Sequence, residues 1–234
     1  MTDTEGKEAL AFIKTKRKEI IERFANDEKC PTVDNPVSFF MAGSPGAGKT
    51  EVSKRFIKEM KPFGANGIAR IDADEIRDLI PAYDGTNAYL FQGAAAKGVE
   101  ILHDHALHKS KNLLLDGTMH DFARAKLNTQ RSLKRNRKVV ILYIYQDPVV
   151  AWEFTRKREM LEGRRVPKEF FIETLFLANE TANRLKTHFG KSVELWLVEK
   201  NPRDPRQEKF TFNIDNIDNH VRIRYSKEEL RRIL

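Results

Sequence analysis

Gly43-Ser44-Pro45-Gly46-Ala47-Gly48-Lys49-Thr50 meets the pattern Gly-x-x-x-x-Gly-Lys-[Ser/Thr] of a phosphate-binding loop. Its setting gives the match weight. Val37 to Ala42 ahead of it is an apolar run suited to a buried strand, and Asp34-Asn35-Pro36 breaks the chain before that run. Behind it, Val52, Phe56, Ile57 and Met60 fall at helical spacing over Thr50 to Met60. A strand, a glycine-rich loop and a helix in that order let successive backbone N–H groups converge on a phosphate, with the helix N-terminus adding its positive dipole. Lys49 is expected to reach the β- and γ-phosphates, and Thr50 to bind Mg²⁺ through its hydroxyl. The loop therefore predicts a nucleoside triphosphate site, for ATP or GTP.

Outward from the loop the same alternation continues. Strands are expected at Gly67 to Asp72, Asn112 to Asp116, Lys138 to Tyr145 and Val193 to Val198. Helices are expected at 7–25, Glu75 to Ile80, Asn87 to Lys109, Phe122 to Asn136, from Asp147-Pro148 onward, and Pro167 to Phe189. Asp147 and Pro148 have the chemistry of an N-cap and a first helical residue. Phe210 to Ile214 and Val221 to Tyr225 read as edge strands, and a last helix opens on Ser226 and Glu229 spaced as a capping box. This predicts an α/β fold of the P-loop NTPase class, a mostly parallel sheet flanked by helices. One domain spans 1–234, with an N-terminal helical extension over 1–35 and a C-terminal extension over 200–234. Ligands in such sheets bind beyond the carboxyl ends of the strands.

With 234 residues, 40% hydrophobic and 32% charged, the chain can bury a core without staples. No apolar run approaches the roughly 20 residues of a membrane helix. The N-terminus Met1-Thr2-Asp3-Thr4-Glu5 lacks the features of a secretory signal, and one cysteine, Cys30, allows no internal disulfide. A cytoplasmic setting is expected. The net charge of +8 concentrates at Arg124, Lys126, Arg131, Lys134, Arg135, Arg137 and Lys138. Such a stripe could attract nucleic acid. No aromatic residue interleaves it as a stacking platform, so the solvated face of a helix is the preferred reading.

The class of chemistry turns on residues at other strand ends. No guanine-reading Asn-Lys-x-Asp pattern occurs, which argues against a GTPase. A kinase needs a carboxylate to take the acceptor's proton and a basic lid to neutralise the transferred group. Asp74 in Ile71-Asp72-Ala73-Asp74-Glu75-Ile76-Arg77 is the favoured base, and Asp72 is its rival. Leu114-Leu115-Asp116-Gly117-Thr118 ends the third strand like a Walker B carboxylate, with Gly-Thr behind it suggesting close approach to a substrate. The lid candidate, Trp152 to Lys168, carries Arg156, Lys157, Arg158, Arg164, Arg165 and Lys168 about Gly163. Forked guanidinium donors suit phosphate oxygens. His103, His105 and His108 lack the i, i+4 spacing of helical zinc ligands, and His120 could line an acceptor pocket.

Together these stretches resemble the zeta toxin family of P-loop kinases, in order over roughly residues 37 to 190. Most specific is Asp-x-Asp-x-x-Arg from Asp72 to Arg77 paired with the downstream Asp116-Gly117-Thr118; Gly163-Arg164-Arg165-Val166-Pro167 and Leu79-Ile80-Pro81-Ala82-Tyr83 are also similar. The resemblance implies an ATP- or GTP-dependent kinase acting on the 3′-hydroxyl of UDP-N-acetylglucosamine or a related nucleotide sugar, a toxin held by an antitoxin protein. It implies Lys49 as the phosphate lysine and Asp74 as general base. Asp116 and Thr118 fall on the substrate side, Arg164 is one lid arginine, and Arg156 or Arg158 is the other. Asp116 stands where those toxins can carry Glu. Two alternatives remain open: a polynucleotide 5′-kinase, and an ATP-binding module that is non-catalytic or inhibited by its own N-terminal helix.

Overall fold

The computed structural model describes residues 2–60, 67–201, 203–204 and 207–234. Its centre is β1, Val37–Ala42, in which every residue after Val37 is buried. Burial on both faces is what an uninterrupted apolar strand requires. β1 lies between β3 (Asn112–Asp116) and β4 (Lys138–Tyr145), with Ser38 opposite Leu113 and Val139. β2 (Ile68–Asp72) flanks β3, and β5 (Val193–Lys200) flanks β4. The sheet order is β2-β3-β1-β4-β5-β6, parallel except for β6 (Glu208–Thr211), which runs antiparallel to β5.

Helices cover both faces. α3 (Lys49–Met60) packs Val52 and Phe56 onto Phe39, Met41 and Leu114 on one side. The opposite side carries the larger core, where α5 (Gln92–His108) and α8 (Lys168–Phe189) bury Ala94, Leu102, Ala178 and Leu185. α1 (Thr2–Thr15) and α2 (Arg17–Ala25) pack on α5 and join that core, with Ile13 and Ile20 buried. The extension therefore acts as a structural cover. Where the periodicity predicts one helix over 7–25, the chain forms two, broken at Lys16, whose backbone (φ −82°, ψ 10°) leaves the helical region.

The helix expected from Asn87 begins only at Gln92. Ahead of it, the Asp84 carboxylate accepts from the N–H groups of Thr86 and Asn87 at 2.9 and 3.1 Å, an Asx-type turn that competes with helix. α4 is short, Ala73–Arg77, and α6 covers Phe122–Leu133. α7, Pro148–Glu162, starts as the sequence indicates: Asp147 accepts from Val149 N–H at 3.0 Å, with Pro148 in the first turn. α9, Lys227–Ile233, carries the expected capping box between Ser226 and Glu229.

Val221 to Tyr225 is not a strand. Ile223 and Tyr225 instead pack with Leu230 against Phe171, Ile172 and Leu175, so the apolar alternation there serves a small satellite core. The basic stripe is partly consumed by structure. Arg131 pairs with Asp104, Lys138 with Glu194 at 2.8 Å, and buried Arg137 donates to the carbonyls of Val37 and Lys111. His103 is buried edge-on to Phe40 rather than displayed beside its neighbours.

Candidate active site

The phosphate loop leaves β1 at the middle of the sheet, at the carboxyl edge. Gly43, Gly46 and Gly48 all have positive φ, at 136°, 70° and 82°. At Gly46 a Cβ would overlap the carbonyl oxygen of Ala151 in α7, so glycine is needed there for space as well as conformation. The Gly43 N–H donates to Thr118 O at 3.2 Å, which ties the loop to the turn after β3. Ser44 and Ala47 are buried inside the wrap. Lys49, first residue of α3, donates to Gly43 O at 3.1 Å and Ser44 O at 2.6 Å. Burial brings its ammonium down to about 8, against the opposing pull of Asp116. An ammonium so desolvated gains from an arriving polyanion, which fits the loop to a nucleotide phosphate. Pro45 completes the loop, and Thr50 follows Lys49 in the first turn of α3, as the motif requires.

β2 and β3 bring the carboxylates in from one side. Their register sets Asp72 opposite Asp116. Asp72 caps α4, accepting from the Asp74 N–H at 2.9 Å. Burial, with Asp116 and Asp74 nearby, pushes its carboxyl up to about 6. Asp74, in the first turn of α4, accepts from Arg77 at 2.7 Å and Arg158 at 3.2 Å, and pairs with Arg164. Burial alone would raise the Asp74 carboxyl, but Arg164 and Arg77 outweigh it and hold the group below the ordinary carboxylate value.

The lid segment comes from α7, a turn at Gly163 (φ 73°) and the start of α8. That turn rests on the loop after α4: a Cβ at Gly85 would overlap Glu162 O, and one at Gly163 would touch Thr86. Arg158 and Arg164 thus reach the same carboxylate from either side of the turn. Arg156 does not join them. Two residues before Arg158, and so on roughly the opposite face of α7, it pairs instead with Glu159 at 2.6 Å. Thr118 and His120 sit behind Asp116: Thr118 Oγ1 lies 2.6 Å from His120 Nδ1, and the His120 ring packs edge-on against Phe170 of α8.

Two residues of the site were not singled out by the sequence, and a third stood in its most specific motif without a role. Arg70 on β2 donates to Asp72 at 2.5 Å, Asp116 at 2.6 Å and Glu75 at 2.5 Å. A lone Arg in an apolar strand, two residues before Asp72 and hence on its face, was the available signal. Ser53, one turn after Thr50, places its hydroxyl 2.9 Å from Asp116. Arg77 closes the Asp-x-Asp-x-x-Arg stretch and is almost fully buried beside Tyr83, donating to Gln92 at 3.0 Å. Its spacing of three from Asp74 on a helix made that pair predictable.

The family model described as Zeta toxin matches residues 21–211. The chain belongs to the zeta toxin family. Within the solved structures, this zeta toxin family member is similar to a chain from the PezAT chromosomal toxin–antitoxin system of Streptococcus pneumoniae, at 20% identity and TM-score 0.65, covering 100% of this chain and 94% of that one. It is also similar to a chain of the AvrRxo1-ORF1:-ORF2 structure with ATP, at 12% identity and TM-score 0.64, covering 94% and 71%. Both likenesses speak to the fold. No curated protein matches the chain. No helix among the described residues is long and apolar enough to cross a membrane.

Proposed function

We propose that this zeta toxin family member is a kinase that transfers the γ-phosphoryl group of ATP or GTP to a hydroxyl of UDP-N-acetylglucosamine or a related nucleotide sugar. One observation carries the reading: a helix-borne carboxylate, Asp74, and two lid guanidiniums, Arg158 and Arg164, converge beside a glycine-built phosphate loop. A hydrolase has no need of a second carboxylate-lined side; a two-substrate transferase does.

In this reading the backbone N–H groups from Gly43 to Thr50 and the Lys49 ammonium hold the donor phosphates. Thr50, in the first turn of α3, would hold Mg²⁺, which would supply positive charge to the donor phosphates. The acceptor hydroxyl oxygen forms a bond to the γ-phosphorus while the bond from that phosphorus to the β-phosphate oxygen breaks. Asp74 takes the hydroxyl proton, and the nucleoside diphosphate leaves with the electron pair. Arg164 and Arg77 keep Asp74 ionised, the form that can accept a proton. Arg164 and Arg158 stabilise the charge on the transferred group. Asp116, Thr118 and His120 orient the acceptor.

The toxin role and an antitoxin partner follow from the family and from the toxin–antitoxin setting of the PezAT structure. ATP as donor is supported by the nucleotide in the AvrRxo1 complex. The polynucleotide-kinase reading has less behind it, because Arg131, Arg137 and Lys138 are engaged in internal contacts. The cis-inhibited reading is weakened by the burial of Ile13 and Ile20 in the main core.

The test is to incubate the protein with ATP or GTP, Mg²⁺ and a panel of nucleotide sugars, and read products by mass spectrometry. A gain of one phosphate on UDP-N-acetylglucosamine is expected. Absence of product across the panel, with nucleotide binding intact, would sink the acceptor assignment.

A further inference from the structure

We infer that Arg70 is a positioning residue of this site, holding Asp72 and Asp116 together as one fixed pair and tying that pair to the helix behind the phosphate loop. The kinetic arm of the inference rests on the kinase reading; the rest does not.

Asp72 and Asp116 lie opposite each other at the ends of adjacent parallel strands, where two carboxylates repel. A single nitrogen of Arg70, Nη2, donates to both, at 2.5 and 2.6 Å. Nη1 donates to Glu75 at 2.5 Å, and Nε donates to the Ser53 hydroxyl at 3.0 Å, which itself lies 2.9 Å from Asp116. One guanidinium therefore spans β2, β3, α4 and α3. Its side chain is 10% exposed, so these contacts are poorly screened. An ammonium cannot reproduce this planar fork.

The other charged groups facing Asp72 are Asp74 from α4, Lys49 from α3 and Arg158 from α7. Glu75 loads the same guanidinium, so three carboxylates share it. Without Arg70, which works against the rise that burial causes, the Asp72 carboxyl should go up further. Asp72 would then cease to be a pure acceptor, and Ser53 would lose the donor that aims it at Asp116. Through Ser53 the donor loop's helix and the acceptor-side carboxylates move as one body, which gives Arg70 a role in geometry and not only in charge.

The experiment compares Arg70→Met and Arg70→Lys with the parent chain, using ¹³C-carboxyl NMR titration of labelled aspartate together with steady-state kinetics. Arg70→Met should raise the Asp72 titration by about one unit or more. Its kcat should fall on the order of 10²-fold, with nucleotide KM little changed. Arg70→Lys should restore the titration while leaving kcat depressed, because charge is kept and the fork is lost. An unmoved titration in Arg70→Met overturns the inference, as does parental kcat in Arg70→Lys. Should Arg70→Met fail to fold, Arg70→Lys decides the matter by its kcat and its unshifted titration. Lack of turnover by the parent chain with every acceptor removes the kinase reading and leaves the titration to judge Arg70.

Discussion

The phosphate loop and the carboxylate–guanidinium cluster beside it are built from different materials. The loop is backbone. Its shape comes from three glycines at positive φ, its donors are N–H groups, and its one long side chain, Lys49, lies back along the loop's own carbonyls. The cluster is side chain. Asp72, Asp74, Asp116, Arg70, Arg158 and Arg164 come from β2, α4, β3, α7 and the lid turn, and each is held by the others. A backbone site tolerates change wherever the backbone is kept and fails wherever a Cβ intrudes. A side-chain site fails by charge and reach, one residue at a time.

Substitutions can sharpen or break that contrast. The largest effect is expected from Gly46→Ala, where the new Cβ meets Ala151 O: nucleotide binding should be lost in calorimetric titration while the rest of the sheet stays folded. Nucleotide affinity at the parental level would mean the loop can be re-formed by other means. Asp74→Asn comes next, with kcat lower by roughly 10²- to 10⁴-fold and nucleotide affinity little changed. A greater loss from Asp72→Asn under the same assay would transfer the base role to Asp72. Arg164→Ala should lower kcat on the order of 10³-fold. Arg156→Ala, whose partner is Glu159, should leave kcat near the parental value. Equal losses in the two would show that α7 presents a different face during turnover. Both the Asp74 and the Arg164 change should also restore growth of an expressing cell if the chain is toxic.

The smallest effect concerns stability. The folded state raises Asp72 from 3.8 to about 6, so it holds that proton more tightly than the unfolded chain does. The corresponding contribution to stability is complete below pH 4 and is lost as pH rises through about 6. Asp72→Asn keeps the cap oxygen and removes the charge. The loss of stability that the parent suffers through this group between pH 4 and pH 7, at most about 2 to 3 kcal/mol, should therefore be absent from the variant. Thermal unfolding at several pH values checks this; a difference that does not change between pH 4 and pH 7 would place the titration elsewhere.

Residue by residue, the two regions also differ in how readable they were. Gly43 to Thr50 declares itself because a strand, a loop and a helix follow one another along the chain, so a local pattern suffices. Asp147-Pro148 and Ser226 were readable for the same reason: a cap satisfies backbone groups two or three residues away. Val221 to Tyr225 misled because alternating apolar residues fit a satellite core as well as a strand edge. Arg156 and Arg158 could not be separated by composition, since only the angle of α7 around its axis turns one to Asp74 and the other to Glu159. The support that Gly85 and Thr86 give the lid turn had no local signal at all.

By itself, then, the sequence determined the strand–loop–helix unit, the parallel alternation around it and the family, because those depend on near neighbours and on periodicity. Only the tertiary structure decided which charges meet. Arg70 is two residues from Asp72 but 46 from Asp116, and Asp74 is 84 and 90 from its lid partners. Pairing across such separations follows from strand register and helix rotation, which the packed core fixes and no short stretch of residues encodes.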